Sequence, residues 1–138
     1  KGYLLRLTES SIKNSTLTAS HIINIFDAEL TDSQVKTEGA HIYAENIQVH
    51  GKVELDSHNH LRLFLSKTEF DRINLDISSQ HGGIYRKAQR EHPKQKENEL
   101  ANPYKTEKAD VKDLLIIKAN QDIYLPKEEE YSAPPSNH

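Results

Sequence analysis

Strict alternation is the feature that most limits what this chain can fold into. From His41 to Leu65, HIYAENIQVHGKVELDSHNHLRLFL, apolar and polar residues take turns: Val49, Val53 and Leu55 around Gly51, then Leu61, Leu63 and Leu65. Ile73, Leu75 and Ile77 repeat the pattern in DRINLDIS. Successive side chains of a strand point to opposite faces, so period two puts each set on one buried face and leaves the other wet. A helix needs apolar residues three and four apart, and no stretch sustains that spacing. In TESSIKNSTLTASHIINIFDAELTDSQVKTEGA the residues Ile12, Leu17, Ile22, Ile25, Leu30 and Val35 stand isolated among Ser, Thr and Asn, which reads as short strands with polar corners. Tyr3–Leu7 reads as a first short strand. The expectation is an all-β chain.

Composition narrows this further. At 138 residues there is length for one domain with a core, yet only 35% of residues are apolar and 28% are charged, which suits a thin, strand-built object with much surface. A formal net charge of −3 with no basic patch argues against nucleic acid as a partner. The absence of Cys removes a disulfide framework and thiolate metal sites, and is compatible with export to an oxidising space. No apolar run is long enough to span a bilayer. The opening KGYLLRL, without Met or a signal peptide, reads as a chain processed or cut from something larger.

Residues 1–126 read as one β-rich domain carrying a charged insert at about 86–112, and 127–138 as a flexible C-terminal tail. The insert, RKAQREHPKQKENELANPYKTEKADVK, has two prolines and almost no apolar residues, so it reads as a loop, a frayed helix or a disordered excursion, its KQKENE run serving to cover a strand edge. DLLIIKANQDIYL reads as a final strand pair.

Three segments share a shape: LTASHIINI, IYAENIQV and IKANQDIYL, each an apolar residue, then Ala (Ala19, Ala44, Ala119), a polar pair or triplet, and further apolar residues. The small Ala suits a place where the chain bends, and Asn or Asp tolerates the corner. Such a unit cannot bury its own apolar face, but stacked copies can. The fold expected is therefore a parallel β-helix (solenoid) segment, with an open β-jelly roll as the alternative.

The same segments, ANQDIYL above all, resemble the repeats of filamentous haemagglutinin and the related CdiA-type exoproteins. That resemblance implies a right-handed parallel β-helix in a secreted or cell-surface bacterial filament, acting by adhesion and assembly on a cell-surface or protein partner. A second resemblance runs through VKTEGAHIYAENIQVHGKVELDSHNHLRLFLSKTEFDRINLDIS, where Gly39, Ile42, Ala44, Ile47, Val49, Gly51, Val53 and Leu55 are similar to the periplasmic lipopolysaccharide-transport proteins of the OstA and LptC type. It implies an antiparallel jelly roll that holds lipid A acyl chains in an apolar groove and pairs edge to edge with a neighbour. The lipid-facing set would then be Leu61, Leu63, Leu65, Ile73, Leu75 and Ile77.

Chemistry is sparse. His58 and His60 are two apart and would share a face in a strand, but SHNH serves equally as a turn, and no third ligand accompanies them. Glu69, Asp71 and Asp76 form a mild acidic cluster, with Asp71 and Asp76 on opposite sides of any regular strand. No phosphate loop or nucleophile elbow is present. The expectation is thus no enzyme, no catalytic or metal residues, no cofactor, and a location outside the cytoplasm: secreted or surface-bound, or periplasmic in the alternative.

Overall fold

The computed structural model describes residues 2–86 and 99–125, with the backbone alone for residues 2–4. The tail expected at 127–138, and residues 87–98 of the insert, lie outside the described residues. The described residues are all-β apart from one helical turn and a half. In order come β1 (Gly2–Thr8), β2 (Ser11–Lys13), β3 (Thr16–Thr31), β4 (Gln34–Thr37), β5 (Ile42–His50), β6 (Lys52–Ser57), β7 (Leu61–Phe64), α1 (Lys67–Arg72), β8 (Asn74–Ser79), β9 (Ile84–Tyr85), β10 (Glu99–Leu100), β11 (Tyr104–Lys105), β12 (Leu114–Ala119) and β13 (Ile123–Tyr124). All thirteen strands belong to one continuous sheet.

Among the described residues strand pairing is parallel except where β10 meets β9 and β11 meets β8. Three ladders result. Ladder I runs through β1, the middle of β3, the start of β5, then β7, β13, β9 and β10. Ladder II is short: β2, the end of β3 and the end of β5. Ladder III runs through the start of β3, then β4, β6, β12, β8 and β11. An antiparallel jelly roll is not what these registers describe.

The alternation foreseen around Gly51, at Leu61–Leu65 and at Ile73–Ile77 holds, and with the other strands it builds inward columns. Leu5, Ile23, Ile42, Leu61, Ile123 and Ile84 stand in line across ladder I. Val35, Leu55, Ile117 and Ile77 do so across ladder III. The aliphatic members from Ile23 onward are fully buried in a single core. Each such side chain contributes about 1.5–3 kcal/mol by leaving water.

The corners between ladders repeat in a way the Ala-centred units do not. Glu9, Asp27 and Asn46 turn the chain from ladder I to ladder II with φ of 49°, 54° and 55°. Asn14, Asp32 and Gly51 turn it toward ladder III with φ of 50°, 46° and 71°. Short Asn and Asp side chains tolerate this left-handed region and bond locally. Asn46 Nδ2 donates to Asp27 Oδ1 at 2.7 Å, and the Lys52 N–H donates to Asp32 Oδ1 at 3.0 Å. A Cβ at position 51 would sit 2.0 Å from Asp32 Oδ1, so only glycine fits beneath that carboxylate. The three alanines are not equivalent: Ala19 lies opposite Thr37, Ala119 opposite Ser57 and Ser79, and Ala44 opposite Ile25 and Leu63. Ala44 is mid-strand, so the proposed corner role fails there.

Two departures from a simple stack matter. First, β12 and β13 do not pair with each other as a terminal strand pair. β12 lies between β6 and β8, and β13 between β7 and β9. Second, α1 stands where ladder II would continue. Ser66 caps it, accepting from the Glu69 N–H at 3.1 Å. The buried Glu69 takes the Val49 N–H through Oε2 at 2.7 Å, and Arg72 donates to Val49 O, to Glu69 and to Asp113. This ion pair supplies the acceptor and donor that a further strand would have offered to β5. The described end of the insert also has structure, since β10 and β11 close the outer edges of β9 and β8.

Candidate binding surface

Outward-facing residues of ladder I fall into register rows. One row reads Arg6, Asn24, Tyr43, Arg62, Tyr124, Tyr85, Glu99 across seven neighbouring strands. Beside it, Phe26, Glu45 and Phe64 form a second row. Five of the seven aromatic residues with described side chains (Phe26, Tyr43, Phe64, Tyr85 and Tyr124) lie on this one outer face; Phe70 and Tyr104 pack against the core instead. The Arg62 guanidinium sits 4.7 Å from the Tyr43 ring centre and 5.7 Å from that of Phe64, within cation–π range. Tyr85 and Tyr124 stack at 5.9 Å.

Parallel pairing holds these rings in place, because residues in register stand about 4.8 Å apart across neighbouring strands. The Tyr124 hydroxyl donates to Asp122 Oδ2 at 3.1 Å, two residues back on its own segment. Tyr85 likewise leans back across Gly83, where a Cβ would lie 2.6 Å from its hydroxyl. Burial and then the Asp122 charge push both phenols above their ordinary pKa, so both stay protonated donors at neutral pH.

A histidine column borders the row. His41 and His60 stack at 5.3 Å, and His41 stacks on Tyr43 at 5.6 Å. His60 Nδ1 accepts from the Asp122 N–H at 3.2 Å, and His41 Nδ1 accepts from the His60 N–H at 3.4 Å. Both bonds require an unprotonated Nδ1. Burial, then the neighbouring His60 and His21, hold His41 below the ordinary imidazole pKa. His58 is exposed and does not join this column. Among the described residues no group of three or more His, Cys, Asp or Glu is arranged to hold a metal ion.

The six residues read as lipid-facing are all buried members of the core. Four of them, Leu63, Leu65, Leu75 and Ile77, also border a cavity of about 190 Å³. Phe70 and Leu125 complete its apolar wall, and Lys67, Asp71 and Arg86 its charged part. Leu61 and Ile73 do not line it. The acidic trio does not converge: Glu69 and Asp71 lie on α1, where Asp71 pairs with Lys67 at 2.9 Å, while Asp76 faces outward from β8 beside Lys105.

The chain matches the Toastrack DUF4097 family over residues 2–126. It belongs to that family. No curated protein and no solved structure matches it significantly. Toastrack membership corrects both resemblances drawn from sequence, to the filamentous haemagglutinin and CdiA-type repeats and to the OstA and LptC-type transport proteins. The first rested on Ala-centred units that occupy different registers. The second rested on alternation around Gly51, which any pair of strands joined at a tight corner produces. Among the described residues of this Toastrack chain, no helix is long and apolar enough to cross a membrane.

The aromatic row was missed at the level of sequence. Tyr43, Arg62, Tyr85 and Tyr124 lie far apart in the chain, and only the register unites them. A usable sign was present nonetheless: Tyr43 and Phe64 break the rule that outward positions of exposed strands carry small or charged residues.

Proposed function

We propose that this Toastrack chain is a stacked-coil β-solenoid that acts by binding and assembly rather than catalysis, presenting the outer face of ladder I to an extended partner on a cell surface. The parallel registers and the solenoid-like character of the Toastrack family support the architectural part. The concentration of five aromatic side chains and Arg62 on one outer face carries the functional part. All five rings are half-buried on that outer face; contiguous apolar surface of this kind marks an interaction site, and Tyr and Arg are the residue types that anchor such sites. A cysteine-free chain suits work outside the cytoplasm.

The test is binding of the labelled, folded chain to intact bacterial cells and isolated envelope fractions. Saturable binding lost in the double variant Tyr43→Ser/Tyr124→Ser and kept in Lys36→Ser/Lys118→Ser is the expected result. Binding indifferent to the tyrosines, or shifted by the lysines instead, would discard this face.

A further inference from the structure

We propose that the cavity between ladders I and III holds one short alkyl chain that carries an anionic head group, the chain against Leu63, Leu65, Leu75 and Ile77 and the head at Arg86. This site is separate from the outer face of ladder I, and the inference does not depend on what that face binds.

The space arises from the topology. Ladder II stops at β5, and the next wall position is taken by α1, which turns Phe70 inward. A helix lying across two strand ladders does not fill the lumen as a third strand would, and about 190 Å³ remains. Its inner wall is Leu, Ile and Phe, while Lys67, Asp71 and Arg86 make the rest of the lining charged, which suits a guest apolar at one end and charged at the other. An apolar cavity of about 150 Å³ takes a hydrocarbon the size of benzene, so the Leu, Ile and Phe part of this recess suits a single short hydrocarbon group. It is smaller than the roughly 300–1,000 Å³ of sites for drug-sized ligands, which rules out a bundle of acyl chains.

The charge follows from Arg86. Tyr124 and Tyr85 are in register, and the Leu125 N–H donates to Tyr85 O at 2.7 Å. Leu125 and Arg86 each follow their strands by one residue, so continuing the registers sets them after Ile25, Ala44 and Leu63 in the inward column. A position that is aliphatic at Ile25, Ala44, Leu63 and Leu125 becomes a cation at Arg86, and both Leu125 and Arg86 border the cavity. Among the described residues no carboxylate pairs with Arg86; its guanidinium lies 4.7 Å from the Phe70 ring centre. The one acid in the lining, Asp71, is held by Lys67, and Lys108 stands 5.9 Å from the Phe70 ring as a further positive charge. Around the mouth, cations outnumber acids. An arginine beside an apolar recess is matched by a carboxylate or phosphate monoester at the end of a hydrocarbon, since the fork takes the anion bidentately while the chain is buried.

The experiment is isothermal titration calorimetry of the full chain with octanoate, octyl phosphate, octanol and octylamine. The expected result is saturable one-to-one binding of at least one anionic probe, about tenfold or more tighter than octanol, with octylamine weaker still. Whichever anion binds tighter tells whether the natural head is a carboxylate or a phosphate. Arg86→Gln then costs the anion about tenfold and leaves octanol unchanged, while Leu75→Phe, which fills the recess, abolishes binding of every probe in a chain whose circular dichroism is unaltered. The proposal is overturned if no anionic probe saturates the folded chain, if octanol binds as tightly as the anions, or if Arg86→Gln leaves the anion affinity where it was.

Discussion

Ladder I and ladder III are built alike inside and differently outside. Both bury an unbroken column of Ile, Leu and Val from strand to parallel strand. Outside, ladder III shows Lys36, Asp56 and Lys118 in one row and Glu54, Ile116 and Asp76 in the next, with Lys118 and Glu54 paired at 3.4 Å. Ladder I shows tyrosines, phenylalanines, histidines and Arg62. The columns make the sheet; the outer rows are free to differ because they add little to its stability. Aromatic rings gathered on one of two otherwise equivalent walls thus point to recognition, whereas scattered charges of both signs keep a wall soluble.

The comparison breaks first at the core if it is wrong. Ile42→Ala in ladder I and Ile117→Ala in ladder III should each destabilise the chain by about 2–5 kcal/mol in urea unfolding, because both side chains are fully buried. A loss confined to one ladder would show that the walls are not equivalent inside. Next is the end of ladder II. Glu69→Ala leaves the buried Val49 N–H without its acceptor and should cost about 2 kcal/mol, with faster amide exchange at Val49 than at Val53. Exchange unchanged at Val49 would mean that the ion pair does not stand in for a strand.

The outer rows sharpen the comparison. Tyr124→Ser should change stability by less than about 1 kcal/mol, as cross-strand aromatic pairs do, while weakening attachment to the cell envelope severely. Lys118→Ser should change neither by much, since exposed ion pairs contribute about 0–1 kcal/mol.

Proton linkage gives the smallest effect and separates the two walls by pH. His41 on ladder I has a folded pKa below its unfolded value, so the unfolded chain takes up the proton first. Stability should fall as pH drops below about 6.5, and His41→Gln should flatten that slope. Asp113, beside the ladder II–III corner, has the same sign in a more acidic window. The Gly51 N–H and then Arg72 hold its carboxyl below the ordinary value. Its contribution is full above about pH 4 and is lost on further acidification, a loss that Asp113→Asn removes. Thermal melts of the three chains across pH 3–8 read both slopes.

Much of the inside was legible in the sequence. Leu61, Leu63, Leu65, Ile73, Leu75 and Ile77 announce a buried face by alternation alone, and all six are in the core. What alternation cannot encode is the neighbour. A strand reading in-out-in-out fits beside any other with the same period, so nothing in DLLIIKANQDIYL says that it goes between Lys52–Ser57 and Asn74–Ser79. The long β3 was read as several short strands because its polar corners look like ends, although Asp27 bends the strand without ending it. The tyrosine row shares this blind spot, since it exists only once the register is known. His58 and His60 show the converse: close in sequence, they are parted by a corner that gives one to solvent and the other to a ring stack.

The placement of β12 and β13 has a consequence for how the chain is made. Among the described residues, every strand partner of Asn74–Ser79 and Ile84–Tyr85 lies later in the sequence. As the polypeptide leaves the ribosome, the layers up to Phe64 can close in the order of their synthesis, but the two segments that follow must wait. They lock only when Leu114–Leu125 arrives and slides in between, like a keystone set after both halves of an arch are standing. Synthesis through Leu125 is thereby a condition of folding, since until then Leu55 and Leu61, each the last closed member of its own column, lack the neighbours Ile117 and Ile123.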